Sequence, residues 1–399
     1  MKAVGIVSEF NPFHNGHAYL LKRVRQRFPD KGIVCVMSGN FVQRGEFAIQ
    51  EKYSRAKCAL LSGADLVLEL PFPFSCLSAE AFAKSAVTIL SKLGVVDTLA
   101  FGSEIADVAL LEQCAGRLSS QAFHHAFVQY LSENKGVGFP QAREKVYMKL
   151  YGSSPIFSYP NASLAVEYAI ANQKLSAPLS LEAVQRACQE VGKTDLEAPF
   201  VSASACRRLI EAEDYSQLVE LCPRHCLEVL HQEAQEGRFP VSTETLAPVL
   251  FHLLRTKSRK ELCEVYGFSS LCDRAIRSMD SCRTIKELTK KMQSASFTDS
   301  RIRRGLLALL LSIPRHAEKK TPAYTLVLGA GERGRELLAR IRKTSAIPVY
   351  TKPVHTIKSE DGEVRRQASA AQLADRIYLS AFPRAYEEPY FLKRKPYLL

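Results

Sequence analysis

"AVGIVSEFNPFHNGH", residues 3–17, decides the fold. Its opening run, residues 3–10, is largely apolar and β-branched, the pattern of a strand buried on both faces. A turn with Pro12, Asn15 and Gly16 follows, and then a helix starts. His14 and His17 stand three apart at that junction. Three readings of the loop compete. Two histidines on one helix face suggest a metal site, yet Asn15 and Gly16 disfavour helix before residue 16, and no third ligand lies near in sequence. A plain strand-to-helix turn with solvated histidines is the second. The third is a phosphate site, because a helix start offers unpaired N–H groups and the positive end of its dipole. Gly16 lets a nucleotide approach the backbone. Two imidazoles beside it can donate to phosphate oxygens and stabilise charge as a P–O bond breaks.

Working outward, "GIVCVMSG" (32–39), "DLVLELP" (65–71) and "DTLAFGSE" (97–104) repeat the strand pattern, with helical segments near 16–28, 51–63 and 78–93 between them. Gly94 is placed to end the third helix. This alternation predicts an α/β fold, a Rossmann-like parallel sheet with helices on both faces. Ligands of such sheets bind at the carboxyl ends of the strands. That selects 8–17, 38–46, 71–75 and 102–104. Residues 105–175 read as helical, and "SLEAVQRA" (180–187) as a fifth strand. "VSASACRRLIEAED" (201–214) has a Ser-rich start and then a helix. From 216 onward helices with many basic residues dominate, and 324–352 reads strand–helix–strand. The tail from 384 is expected to be irregular. The expected division is a catalytic domain over 1–215 and a mainly helical basic domain, with a small βαβ unit, over 216–399.

The chain has 399 residues, 46% of them hydrophobic, a formal charge of +13 and a pI near 9.2. That size gives ample room for a buried core. The positive balance suits a polyanionic partner, nucleic acid first. Eleven cysteines with no repeated spacing, no secretory signal and no apolar run of membrane length predict a cytoplasmic protein with reduced thiols and no membrane partner. Cys222-Pro-Arg-His-Cys226 has no second close pair to complete a zinc site, and no metal ligands are assigned.

"PFHNGH" fits the H-x-G-H signature of the nucleotidyltransferase superfamily, and with that resemblance the phosphate reading leads. The superfamily implies that His14 and His17 bind ATP and stabilise transfer at the α-phosphorus. "SASACRR" (202–208) is similar to its second signature, which would bring Ser202, Ser204 and Arg207 to the β- and γ-phosphates. Cys206 there replaces an aliphatic residue. No K-M-S-K-S-like stretch is present, which argues against an aminoacyl-tRNA synthetase. "KAVGIVSEFNPFHNGHAYLL", "VMSGNFVQRGEFA", "GADLVLELP", "FGSE", "PNASLAVEY" and "RIRRGLL" follow in this order. Together they closely resemble the tRNA(Met) cytidine acetate ligase family. That resemblance implies activation of acetate by ATP, with Mg²⁺ accompanying the nucleotide, and acetylation of N4 of the wobble cytidine, C34, of elongator tRNA(Met). It implies an ATP loop of Val7, Ser8, Glu9, Phe10, Asn11, Pro12, Phe13, His14, Asn15, Gly16, His17, Ala18, Tyr19 and Leu20. Gly102, Asn161 and Arg186 match further nucleotide contacts. The His-Asp pair often found after that arginine is missing from "RACQEVGKTD" (186–195).

Residues 255–304 hold 13 Lys and Arg against 6 Asp and Glu. This segment, with Arg301, Arg303 and Arg304, is the expected tRNA-phosphate surface; "RELLARIRK" (335–343) is a second. Gln43 and Arg44, in "SGNFVQRGE" (38–46), stand at the active edge, and the residues leave open whether they touch ATP or the anticodon. "GAGERG" (329–334) fits G-x-G-x-x-G, yet no acid closes the next strand, so a structural βαβ unit is expected there rather than a dinucleotide site. Two other functions compete: a small-molecule nucleotidyltransferase, which would leave nearly half of this basic chain unused, and a non-catalytic tRNA-binding protein, against which the intact H-x-G-H speaks.

Overall fold

The computed structural model describes residues 1–186, 202–387 and 389–399. Ala187 at the end of the expected fifth strand, Val201 at the head of the Ser-rich segment, and the stretch just after Arg186 lie outside the described residues. The strands are β1 Ala3–Ser8, β2 Gly32–Ser38, β3 Phe41–Val42, β4 Glu46–Phe47, β5 Leu66–Leu70, β6 Val96–Ser103, β7 Ser180–Gln185, β8 Thr325–Ala330, β9 Val349–Tyr350 and β10 Tyr397–Leu398. The main sheet runs β10-β8-β5-β2-β1-β6-β7, and β9 also pairs with β8. Neighbours are parallel except β5 and β8. Every residue of β1, β2 and β5 is buried, as their unbroken apolar runs require. Leu90 of helix Ala79–Lys92 packs on Gly5, and Leu337 of helix Glu332–Thr344 packs on Gly32.

Strand order places the site. The chain leaves β1 for β2 and β5 on one side, then returns to put β6 on the other. That reversal, beyond the carboxyl ends of β1 and β6, is where sheets of this kind form their ligand crevice. The loop after β1 and residues 102–104 therefore meet there, although they are distant in sequence.

The strand–helix–strand segment expected in the C-terminal part is built into the edge of this same sheet, with Leu68 of β5 opposite Val327 of β8. Gly329 and Gly334 are explained by packing, since a Cβ would collide with Leu60 and the Tyr397 carbonyl at the first and with the Asp65 carbonyl at the second. The tail is more regular than expected: helix Tyr390–Lys393 precedes β10, which pairs with the end of β8. A buried polar network fastens helix Gly362–Leu379 to the strand ends. Lys52 Nζ meets Glu69 Oε1 at 2.8 Å and Asp375 Oδ2 at 2.7 Å, and Asn40 Nδ2 donates to Asp375 Oδ1 at 2.8 Å. Burial pushes the Lys52 ammonium down, but Asp375 and Glu69 outweigh it and raise its pKa. No helix among the described residues is long and apolar enough to cross a membrane.

Candidate active site

His14 is the N-cap of helix Asn15–Arg27, with extended backbone (φ −140°, ψ 172°). The helix thus starts one residue earlier than the sequence suggested, because an imidazole caps it. The Gly16 N–H donates to His14 Nδ1 at 3.0 Å, and the His14 N–H donates to His17 Nδ1 at 3.2 Å. This is a reciprocal capping box in which two histidines replace the usual hydroxyl and carboxylate. A ring nitrogen that accepts carries no proton, so each neutral ring holds its proton on Nε2. The rings stack with centroids 3.7 Å apart, and Phe10 and Phe13 pack on His17 at 5.0 and 5.4 Å. Such surroundings disfavour imidazolium. Burial, then the charges of Arg186 and Arg207, lower the His14 pKa to about 3. Burial, then His14 and Arg186, hold His17 well below its ordinary value. Both are therefore neutral Nε2–H donors at pH 7.

The rest of the loop is a tightly held frame. Phe10 takes a positive φ of 48°. Asn11 Oδ1 accepts from the Ile49 N–H at 2.8 Å, and Asn15 Nδ2 donates to the Glu220 carbonyl at 2.9 Å. Val7 and Pro12 are buried, and Ala18, Tyr19 and Leu20 continue the helix half-buried. Ser8 Oγ and Asn11 Nδ2 are buried without a hydrogen-bond partner. Polar groups left so at a strand end are those a bound ligand would satisfy.

Across the crevice, Gly102 near the end of β6 lies against the Arg186 side chain, and the Arg186 N–H donates to the Ser103 carbonyl at 2.9 Å. Glu104 accepts from Asn161 Nδ2 and, at 2.9 Å, from the Ala162 N–H. Gly102, Asn161 and Arg186 are thus brought together around Glu104. Burial lowers the Arg186 pKa and the Glu104 charge opposes it. Glu104 closes the quoted "FGSE" and lies in the selected 102–104, yet only the fold shows what it holds.

The third wall is helix Ala203–Glu211. Ser202 Oγ caps it, accepting from the Ala205 N–H at 3.2 Å. Arg207 Nη1 donates to the Asn11 carbonyl at 2.7 Å, three residues before His14. Ser204 Oγ accepts from Arg207 Nη2 at 3.2 Å and from Arg44 Nη1 at 3.3 Å. Arg44 is carried by the β3–β4 hairpin, which sequence reasoning missed. Its signal was a short Gln43-Arg44-Gly45 connection with glycine at a positive φ of 82°. Glu9 supports the hairpin by accepting from the Gln43 N–H at 2.6 Å. Burial raises the Glu9 pKa, opposed by that N–H and by Arg44, Arg207 and Arg55. Fully buried Arg55, also missed, donates to the carbonyls of Glu9, Gly39 and Gln50 and so joins the two active-edge loops.

Arg301, Arg303 and Arg304 lie on helix Asp299–Leu310 and differ in setting. Arg303 pairs with Glu46 on the hairpin and, at 2.8 Å, with Asp299. Arg304 donates to the Gln43 carbonyl at 3.4 Å. Only Arg301 of the three faces away from the hairpin's contacts: it stacks over Phe297 at 4.8 Å, bonds the Ser296 carbonyl at 3.0 Å and reaches Ser270 Oγ at 3.1 Å. On the second basic segment, Arg335 bonds the Leu399 carbonyl at 2.6 Å and Arg340 the Met1 carbonyl at 3.4 Å. Among the described residues, no three His, Cys, Asp or Glu side chains stand close enough to hold a metal ion, Cys222 and Cys226 included.

A parallel sheet whose first strand ends in a His-Asn-Gly-His helix cap, flanked by arginines, is the architecture of a nucleotidyltransferase, and the HIGH Nucleotidyl Transferase family model matches residues 1–390. Within that class the chain belongs to the tRNA(Met) cytidine acetate ligase family. The tRNA(Met) cytidine acetate ligase of Acetivibrio thermocellus is 32% identical, covering 98% of this chain and 97% of its own. That of Caldanaerobacter subterraneus is 36% identical, covering 88% of this chain and 89% of its own. Thermotoga maritima TmcAL bound with α-thio ATP matches at a TM-score of 0.90 and 30% identity over 100% of both chains, and its apo form at 0.92 and 30%, again over 100% of both.

Proposed function

We propose that this protein activates acetate with ATP as acetyl-adenylate and transfers the acetyl group to N4 of C34 in elongator tRNA(Met), making N4-acetylcytidine. The observation that carries the reading is the pair of neutral, Nε2-protonated histidines on a helix start, between Arg186 and Arg207. Membership of the ligase family supports it, as does a likeness to an ATP-analogue-bound TmcAL over the whole chain. Relatives matched nearly end to end speak against a small-molecule nucleotidyltransferase.

The chemistry suits this donor set. An acetate oxygen attacks the α-phosphorus, the bond to the bridging β-phosphate oxygen breaks, and pyrophosphate leaves. His14 and His17 donate Nε2–H bonds to the α-phosphoryl oxygens and stabilise the charge that builds there without transferring a proton. Their neutrality suits this task, because a donor that does not titrate near pH 7 works across the physiological range. Arg186, Arg207 and Ser204 neutralise and orient the phosphates. Mg²⁺ accompanying the nucleotide would add to that neutralisation of phosphate charge. In the second step the cytidine amine attacks the acetyl carbonyl, AMP leaves and the amine loses a proton. C34 must be splayed out of the anticodon loop to reach the anhydride. The basic face of 255–304, with Arg301, takes the tRNA backbone.

Incubation with ATP, labelled acetate and elongator tRNA(Met) tests this. Label on C34 with acetate-dependent AMP release is expected. A tRNA that stays unlabelled, with no acetate-dependent AMP, would overturn the proposal.

A further inference from the structure

Three guanidiniums, one of them bonded into the histidine loop, are linked to one another through Ser204 and Glu46. Arg44 comes from the hairpin tip, Arg207 from helix Ala203–Glu211 and Arg303 from helix Asp299–Leu310. Arg44 and Arg207 point at one hydroxyl, Ser204 Oγ. Like charges so placed repel, and a neutral hydroxyl does not compensate them. The counter-charges are Glu46, which pairs with Arg303 and reaches Arg207 at 3.6 Å, Asp299, which pairs with Arg303 at 2.8 Å, and Glu9, whose charge burial disfavours. Among the described residues, Arg44 has no carboxylate within ion-pair distance. Its side chain is exposed, while the hairpin beneath it is fixed. Gln43 is held by Glu9 and Arg304, the Phe47 N–H donates to Thr243 Oγ1 at 2.9 Å, and Gly45 packs on the backbone of Arg303 and Arg304. A rigid base with one unpaired guanidinium is prepared for an incoming anion.

Resting on the reading of this site as an adenylating centre, we propose that Arg44 belongs to the triphosphate site. With Ser204 and Arg207 it binds the β- and γ-phosphates of ATP and holds pyrophosphate as it leaves. Glu46 is a positioning residue that keeps Arg207 and Arg303 turned toward that place before nucleotide arrives. The position favours a nucleotide polyphosphate over an RNA backbone. Arg207 is largely buried, with its side chain 15% exposed, and is bonded to Asn11 in the histidine loop itself. A guanidinium presents paired donors that match phosphate oxygens, which a hydroxyl or an ammonium does not reproduce.

The test compares Arg44→Ala, Arg44→Lys and Glu46→Gln in the full chain. Calorimetry measures binding of ATP, inorganic pyrophosphate and AMP, with a thermal melt to check folding. Arg44→Ala is expected to weaken ATP and pyrophosphate about tenfold or more and to leave AMP unchanged, because AMP lacks the outer phosphates. Arg44→Lys recovers part of the loss, and Glu46→Gln shifts ATP and pyrophosphate without shifting AMP. Equal losses for AMP and ATP, or no loss for either, would overturn the assignment. So would unchanged ATP and pyrophosphate affinity with weakened tRNA binding, which places Arg44 on the RNA. If the wild-type protein binds no ATP at all, the adenylating reading itself falls.

Discussion

His14 and His17 lie within four consecutive residues and hold each other, each ring accepting from a backbone N–H of the same turn. Arg44, Arg207 and Arg303 come from three separate segments, and their side chains are linked through Ser204 and Glu46. The two walls face one crevice but act by different physics. On the histidine wall, burial removes charge and leaves directional donors that salt and neutral pH do not disturb. On the arginine wall, charge is kept, so its attraction reaches further and is weakened by salt. A phosphoryl transfer needs both: aimed donors where charge develops, and cations where a charged group departs. The first wall is a product of one turn. The second exists only when the hairpin and two helices have docked.

The sharpest way to break this contrast is to remove the donors. His14→Ala or His17→Ala is expected to lower the rate of acetate-dependent adenylation about 10²- to 10³-fold. Losing the cap also lowers stability by about 1 kcal/mol. Rapid-quench assays on variants shown folded by circular dichroism check this, and a rate close to wild type in both would mean the imidazoles do not serve the reaction.

The pH dependence of stability follows next. The His14 pKa is lowered in the folded state, to about 3 from an ordinary 6.5. Above pH 6.5 both states hold the neutral ring and nothing is lost. As pH falls below 6.5 the unfolded chain takes up a proton that the folded chain refuses, and stability falls until about pH 3. At pH 5 this single group removes roughly 2 kcal/mol, and His17 acts in the same direction. Thermal melts between pH 7.5 and 5 read it directly. A His14→Asn/His17→Asn chain should lose less on acidification, and an equal loss in both chains refutes the desolvation account.

Gly45→Ala attacks the arginine wall without touching an arginine. A Cβ there meets the backbone of Arg303 and Arg304 from a residue already at positive φ. Destabilisation of about 1–3 kcal/mol is expected, with weaker ATP binding and an intact histidine turn. Denaturant melts and ATP titration measure it. Unaltered stability would show that the hairpin does not need that contact.

The smallest effect is expected at Arg301, which is held by Phe297, Ser296 and Ser270 rather than by the hairpin. Arg301→Ala should weaken tRNA binding and flatten its salt dependence by about one unit of slope, leaving ATP binding alone. Filter binding at several salt concentrations decides it. An unchanged slope would remove this residue from the RNA surface.

Much of the core was legible. β1, β2 and β5 are buried on both faces and therefore wrote themselves as unbroken apolar runs. Gly94, at φ 73°, ends its helix where a glycine was expected to. The β3–β4 and β10 segments were not legible, because two-residue strands are too short to carry a period. Arg55 was not legible either, and Glu46 and Glu104, though inside the selected 38–46 and 102–104, showed no role there. Each acts by pairing with residues far along the chain, and nothing in its own neighbourhood marks it. Arg303 and Arg304 show the same limit: a basic run announces charge, but not that two of its members turn inward to a hairpin.

The sequence by itself determined the parallel run of the first strands and the position of the turn after the first of them. Hydrophobic periodicity and helix capping are short-range, and a few neighbouring residues express them in full. Tertiary structure alone decided that the two imidazoles are neutral and that arginines from three segments meet beside them. Desolvation and charge pairing depend on what arrives through space, and in this chain the arriving groups come from segments far apart in the sequence.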